Sequence, residues 1–165
     1  MQTKILVFNG PGGAGKDTAQ EFFKKTALFY GYKTAKTSMV AYVKTIAAAA
    51  GWKGGKDFGD RRFLSDLKLA LERWDNSPYE TTKDFIENTK VDFIFVDARE
   101  PKDIDKLKAD FEVITILIDR EECRKSYGNM ADDGVFNYTY DYVIENNGTL
   151  ADLAASMETL FLEIR

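Results

Sequence analysis

The chain has 165 residues, of which 44% are hydrophobic and 30% charged, with a formal net charge of −4. That length supports one domain with a single sizeable core, and the acidic balance gives no general attraction for nucleic acid or membrane surfaces. No histidine is present, which excludes Ser-His-Asp and Cys-His nucleophiles and every histidine-based metal site. No run reaches the roughly 18 apolar residues that a membrane span needs, and the N-terminus lacks a signal-peptide pattern. The lone cysteine, Cys123, has no internal partner, so a reducing, cytoplasmic setting is expected. Any chemistry should then fall to lysine, arginine, carboxylates, backbone N–H groups and a hard metal ion.

In chain order, "KILVFN" (Lys4–Asn9) is short, apolar and stopped by glycine, and it predicts a buried strand. Helical spacing runs from Lys16 to Tyr30, with Phe22, Phe23 and Phe29 among the apolar positions. A second strand is predicted near Lys33–Thr37, then an alanine-rich helix from Ser38 to Ala50. "GWKGGKDFGD" (Gly51–Asp60) reads as a glycine- and charge-rich loop. Phe63, Leu67, Leu71 and Trp74 recur at helical spacing from Arg61 to Trp74, and Pro78 suits the start of a helix over Tyr79–Asn88. "DFIFVD" (Asp92–Asp97) and "VITILID" (Val113–Asp119) predict two more buried strands, with the helical "PKDIDKLKADF" between them. "DYVIEN" (Asp141–Asn146) is the last predicted strand. Thr149 is the expected N-cap of a helix whose Leu150, Leu153, Met157, Leu160 and Ile164 form one face. Apolar strands alternating with helices predict a three-layer α/β/α fold, with a parallel sheet of about five strands covered on both faces.

Between the first strand and first helix lies "GPGGAGKDT", with four glycines in six residues. Gly10, Gly15 and Lys16 meet the G-x-x-x-x-G-K pattern of a phosphate-binding loop, in the strand-to-helix setting that the pattern requires. Glycines let the chain curl so that successive N–H groups point inward at phosphate oxygens, and the helix beginning near Lys16 turns its positive end to the same oxygens. Gly10, Gly12, Gly13, Ala14, Gly15, Lys16, Asp17 and Thr18 are therefore the candidate ATP-phosphate residues, with Lys16 charged for the outer phosphates. Asp17 stands where many such loops carry the metal-binding hydroxyl. It could hold an ion through water, orient a substrate hydroxyl, or only favour the helix N-terminus. Thr18 is the better candidate for the phosphates or the metal's water shell.

A second constellation lies where strands end. Asp97, Arg99 and Glu100 follow one strand; Asp119, Arg120 and Arg124 follow another. In a parallel sheet these ends gather beside the phosphate loop. Asp97 would order the water around Mg2+, Arg99 would grip an acceptor phosphate, and Arg120 with Arg124, four apart on an expected helix, would close on the transferring phosphoryl group. Arg61 and Arg62, read as opening a helix beside Lys53 and Lys56, hint at an anionic ligand or form a charged rim. "TKVD" (Thr89–Asp92) precedes a strand rather than ending one and "DFG" (Asp57–Gly59) lacks the other protein-kinase elements, so neither is assigned a function; Asp132–Asp133 reads as a solvated turn.

With these motifs in place, the chain resembles the nucleoside monophosphate kinases, and most closely the phage-type deoxynucleoside monophosphate kinases. "GPGGAGKDT" is similar to that group's G-x-x-x-x-G-K-D-T loop, and "VDAREPKDID" to its D-x-R-x-P-x-E-x-D segment, with Asp103 in place of the glutamate. "SMVAYVKTIAAAAGW" and "RRFLSDL" are weaker likenesses on the acceptor side. The resemblance implies ATP as donor, Mg2+ bound through Thr18 and Asp97, and catalytic roles for Lys16, Asp17, Arg120 and Arg124. It implies an acceptor nucleotide held by Lys44, Arg61, Arg62, Asp97 and Arg99. It further implies a single domain with a helical acceptor-side region over 38–90 and a short lid near 120–139. Glu100 replaces the family's aromatic, and the segment after Arg124 is short and poor in arginine, so the expected lid is small. The expected activity is phosphoryl transfer from ATP to a (deoxy)nucleoside monophosphate. A kinase for another small metabolite and a non-catalytic nucleotide-binding module are the alternatives. Small nucleotides are the expected partners, with no nucleic acid or membrane; a homodimer stays open.

Overall fold

The computed structural model describes residues 3–124 and 134–165. Asp132–Asp133 and the middle of the expected lid lie outside the described residues. The elements run β1 (Lys4–Asn9), α1 (Lys16–Phe29), β2 (Thr34–Ser38), α2 (Ala41–Ala49), α3 (Phe58–Trp74), α4 (Ser77–Asn88), β3 (Phe93–Asp97), α5 (Pro101–Asp110), β4 (Val113–Asp119), β5 (Tyr142–Glu145) and α6 (Leu150–Ile164). Short 3₁₀ turns occupy Glu121–Cys123 and Val135–Asn137.

The strands form one sheet in the order β2-β3-β1-β4-β5. β1 runs parallel to β3, with Phe8 opposite Asp97, and to β4, with Asn9 opposite Leu117. β5 runs parallel to β4, with Asp119 opposite Glu145. Parallel pairing brings the C-terminal ends of β1, β3 and β4 to one edge, where loops can build a site. This is the expected α/β fold.

Alternation along the strands sends Leu6, Phe8, Phe93, Phe95, Ile116 and Ile118 into a core shared with Phe23 of α1 and Met157 and Phe161 of α6. Phe23 meets Phe93, Phe95 and Phe161 edge-to-face, with centroids 5.2, 5.5 and 5.6 Å apart. Ile5, Val7, Ile94 and Val96, on the other face, are buried too, as are Ile104 and Leu107 of α5. Both faces excluding water explains why these strands read as continuous apolar runs.

The chain forms two compact units, one made of Met1–Lys36 with Lys90–Arg165 and the other of Thr37–Thr89. The first carries the sheet except for the last two residues of β2; in the second, α2, α3 and α4 pack on one another and bury Val43, Ala47, Tyr79 and Ile86.

Several elements differ from expectation. α3 begins at Phe58 rather than Arg61, because Asp57 and Asp60 form a reciprocal capping box that draws the end of the glycine-rich loop into the helix. Arg61 and Arg62 consequently sit in its second turn, not at its opening. The expected apolar face of α3 is covered only in its middle: Leu67 and Leu71 are half-buried, Phe63 is 41% and Trp74 84% exposed, and the fully buried residue of that helix is Lys68. Leu150 is likewise exposed, being the first residue of α6, whereas Leu153, Met157, Leu160 and Ile164 are buried. Thr149 caps α6 as expected: its hydroxyl accepts from the Asp152 N–H, and Asp152 accepts from the Thr149 N–H at 2.7 Å.

Candidate active site

The loop after β1 is shaped by what its glycines avoid. A Cβ on Gly10 would lie 2.7 Å from the Ile118 carbonyl oxygen, so only glycine lets the loop pass this close to β4. Gly15, at φ 93°, is the N-cap of α1, and no side chain caps that helix. Geometry leaves the N–H groups of Lys16, Asp17 and Thr18 without acceptors inside the helix; the first helical bond runs from Ala19 N–H to the Gly15 carbonyl at 2.9 Å. Uncapped donors at the positive end of a 14-residue helix are suited to anionic oxygens.

Lys16 points into a polar cluster at the ends of β1 and β3. Burial pushes its ammonium below the ordinary lysine range; Asp97 and Asp17 act in the opposite direction, while Arg99 and Lys36 add to the lowering. The site therefore gathers three cations, Lys16, Lys36 and Arg99, around two carboxylates. Asp97 accepts from Gln20 Nε2 at 2.7 Å and pairs with Lys36 Nζ at 3.0 Å; Lys36 also donates to Asp17 at 2.9 Å. That hydrogen bond is the main cause holding the Asp17 carboxyl below the usual carboxylate range. Lys36 itself is raised: desolvation is the largest single influence and opposes this, but Asp17 and Asp97 together outweigh it.

Asn9, fully buried at the end of β1, joins three segments. Its Oδ1 accepts from Gly10 N–H at 2.8 Å, and its Nδ2 donates to the Arg99 carbonyl at 3.1 Å and the Tyr140 hydroxyl oxygen at 2.8 Å. On the far side, Asn146 Nδ2 donates to the Ala14 carbonyl at 2.8 Å. The loop is thus braced from the β3 exit, from the segment before β5 and from the β5 exit.

The expected helix carrying Arg120 and Arg124 is instead the three-residue 3₁₀ turn Glu121–Cys123, so the two guanidiniums do not share a helical face. Acidic neighbours hold each: Arg120 donates to Glu122 at 3.0 Å, and Arg124 makes a two-pronged pair with Asp119 at 2.9 and 2.5 Å. Lys44, Arg61 and Arg62 belong to the Thr37–Thr89 unit and are all exposed. Arg61 Nε donates to the Lys56 carbonyl at 3.1 Å, and Arg62 lies 3.8 Å from Asp66. With Arg61 beyond the first turn and Asp60 before it, the helix-dipole argument for an anion there no longer holds.

Among the described residues, no group of three or more acidic, cysteine or histidine side chains could hold a metal ion unaided. Mg2+ keeps several waters and leans on substrate phosphates with one or two protein oxygens. The Thr18 hydroxyl, exposed in the first turn of α1, and the Asp97 carboxylate are the oxygens that fit such an ion.

No family model matches the chain, and no curated protein does. Solved structures do. The Mycobacterium tuberculosis APS kinase in complex with AMPPNP and APS aligns over 98% of each chain at 15% identity, with TM-score 0.55. Shikimate kinase from Aquifex aeolicus aligns over 96% of each chain at 12% identity and TM-score 0.54. Thymidylate kinase from Ehrlichia chaffeensis covers 98% of this chain and 99% of its own, at 14% identity and TM-score 0.51. The chain shares its fold with these three kinases.

The residues of this cluster that the sequence did not single out are those held by distant partners: Asn9, Gln20, Lys36, Tyr140 and Asn146. Gln20 had a usable signal, being one turn from Lys16 on the same helix face. No helix among the described residues is long and apolar enough to cross a membrane.

Proposed function

We propose that the protein is an ATP- and Mg2+-dependent kinase that transfers the γ-phosphoryl group to a (deoxy)nucleoside monophosphate, giving the diphosphate. The observation that carries this reading is the meeting of the uncapped α1 loop, the half-buried Lys16 ammonium, Asp97 and Arg99 at one edge of a parallel sheet. The resemblance of "GPGGAGKDT" and "VDAREPKDID" to the monophosphate kinases supports the choice of acceptor.

In this reading an oxygen of the acceptor phosphate attacks the γ-phosphorus, the bond to the β,γ-bridging oxygen breaks, and the electron pair leaves with ADP. The acceptor is already anionic near neutral pH, so no strong base is needed, in keeping with a chain without histidine. Mg2+, held through Thr18 and Asp97, would neutralise charge on the transferring group when bound. The loop amides orient the donor phosphates, Lys16 meets the charge that develops on the outer oxygens, and Arg99 holds the acceptor phosphate in line. Lys44, Arg61 and Arg62 would serve the acceptor nucleotide. For Arg120 and Arg124 to act on the phosphoryl group, each must exchange its present carboxylate partner for it.

Coupled assays with ATP and each common monophosphate test the proposal, with diphosphate formation the expected outcome. ATP binding without transfer to any monophosphate would overturn it. A kinase for another small metabolite is the second reading, favoured by the fold likeness to APS kinase and shikimate kinase. The same assay with non-nucleotide acceptors separates the two.

A further inference from the structure

We infer that Lys36 is a positioning residue of this site: its ammonium is a tethered cation that fixes Asp17 and Asp97 and fills the space between them until a nucleotide delivers a divalent ion. The inference rests on the phosphoryl-transfer reading for its purpose, but the seat itself is defined by side chains of the sheet-bearing unit.

The Lys36 ammonium has three donors, and three oxygens surround it: Asp17 Oδ1 at 2.9 Å, Asp97 Oδ2 at 3.0 Å and Gln20 Oε1 at 2.6 Å. These acceptors come from α1 and from the end of β3, while Lys36 comes from β2 at the sheet edge. Gln20 is only 3% exposed, and its other amide atom donates to Asp97 Oδ1 at 2.7 Å. Both oxygens of Asp97 are therefore held, one by a neutral amide and one by a charge, so its carboxylate has a set orientation. A solitary surface ion pair would need none of this, and as a source of stability such a pair contributes little. An ammonium shared by two carboxylates and a buried amide instead cancels the repulsion that two converging acids would feel. It occupies an Asp97 oxygen that a divalent ion held through Thr18 and Asp97 would otherwise use. A cavity of about 320 Å³, lined by Gln20, Thr34, Lys36 and Phe95 among others, adjoins the cluster and gives the Lys36 side chain space to withdraw.

The test compares the full chain with Lys36→Met and Lys36→Arg, titrating Mn2+ by electron paramagnetic resonance without nucleotide. Lys36→Met should bind Mn2+ tighter by about five-fold, the upper end of the scale expected when one half-exposed ion-pair partner is removed. Lys36→Arg, keeping the charge and donors, should stay close to wild type. With an ATP analogue present the gap should narrow, and in transfer assays Lys36→Met should lower kcat while leaving the KM for ATP within about two-fold. Equal Mn2+ affinity for Lys36→Met and wild type, or Lys36→Arg matching Lys36→Met, would overturn the inference. Lys36→Gln replaces Lys36→Met if thermal melting shows the latter unfolded. Absence of transfer in the wild type would count against the kinase reading alone, because the Mn2+ titration needs no turnover.

Discussion

The Asn146 amide donates to the Ala14 carbonyl at 2.8 Å across 132 residues of sequence, so the exit of the last strand braces the phosphate-type loop from behind. The same amide lies where a side chain on the next residue would go: a Cβ on Gly15 would come within 2.5 Å of Asn146 Nδ2. Gly15→Ala therefore meets two penalties, a left-handed φ of 93° that alanine disfavours and displacement of the brace. We expect a loss of about 1–3 kcal/mol in denaturant unfolding, together with at least ten-fold weaker ATP binding by calorimetry. A variant as stable as wild type that binds ATP normally would show that the loop tolerates this geometry.

Lys16 and Arg99 should separate by substrate. Lys16→Met is expected to cut transfer by about 10³-fold or more and to weaken ATP binding, since it removes the full positive charge that the loop itself offers to the outer phosphates. Arg99→Ala should raise the KM for the acceptor by roughly ten-fold or more with little change in the KM for ATP. Steady-state kinetics with each substrate varied in turn will decide, and equal effects on both KM values would argue against Arg99 as an acceptor-side group.

Tyr140 gives a pH signature. Burial is the main cause that pushes its phenol up to about 12, against an opposing influence from the Asn9 amide that donates to its oxygen. The folded state thus favours the neutral phenol. Its contribution to stability is complete below about 10, the ordinary tyrosine value, and is lost as pH rises through about 12. The difference in phenolate absorbance between wild type and Tyr140→Phe should titrate near 12, and a midpoint near 10 would contradict the half-buried, hydrogen-bonded placement.

Phe23 is the aromatic on which both helices and the sheet converge, with no exposed surface. Phe23→Ala should cost about 3–5 kcal/mol in urea unfolding, because three rings lose their edge-to-face partner around a cavity. A cost below about 1 kcal/mol would mean that the core collapses to fill the gap.

Much of this protein is written in short-range pattern. The strands are legible because both faces are buried, so Ile5 to Phe8, Phe93 to Val96 and Ile116 to Ile118 are apolar without interruption. The glycine loop and the Thr149–Asp152 cap are legible because each is completed within a few residues. Gly10 to Thr18 announces its chemistry through backbone shape, and backbone shape is set locally by where side chains are absent.

Tertiary structure alone decided which polar groups meet. Lys36 looks like any strand-edge cation until the strand order sets β2 against β3 and carries its ammonium to Asp97. Arg124 reads in the sequence as a guanidinium open to substrate, but the 3₁₀ turn folds it onto Asp119. Asn9 is tied to Arg99 and Tyr140, and Asn146 to Ala14, by bonds between residues far apart in the chain, and no periodicity records such a bond. Local pattern follows from the conformational preferences of neighbouring residues; the pairing of charges and amides follows from which strand ends the sheet brings to one edge.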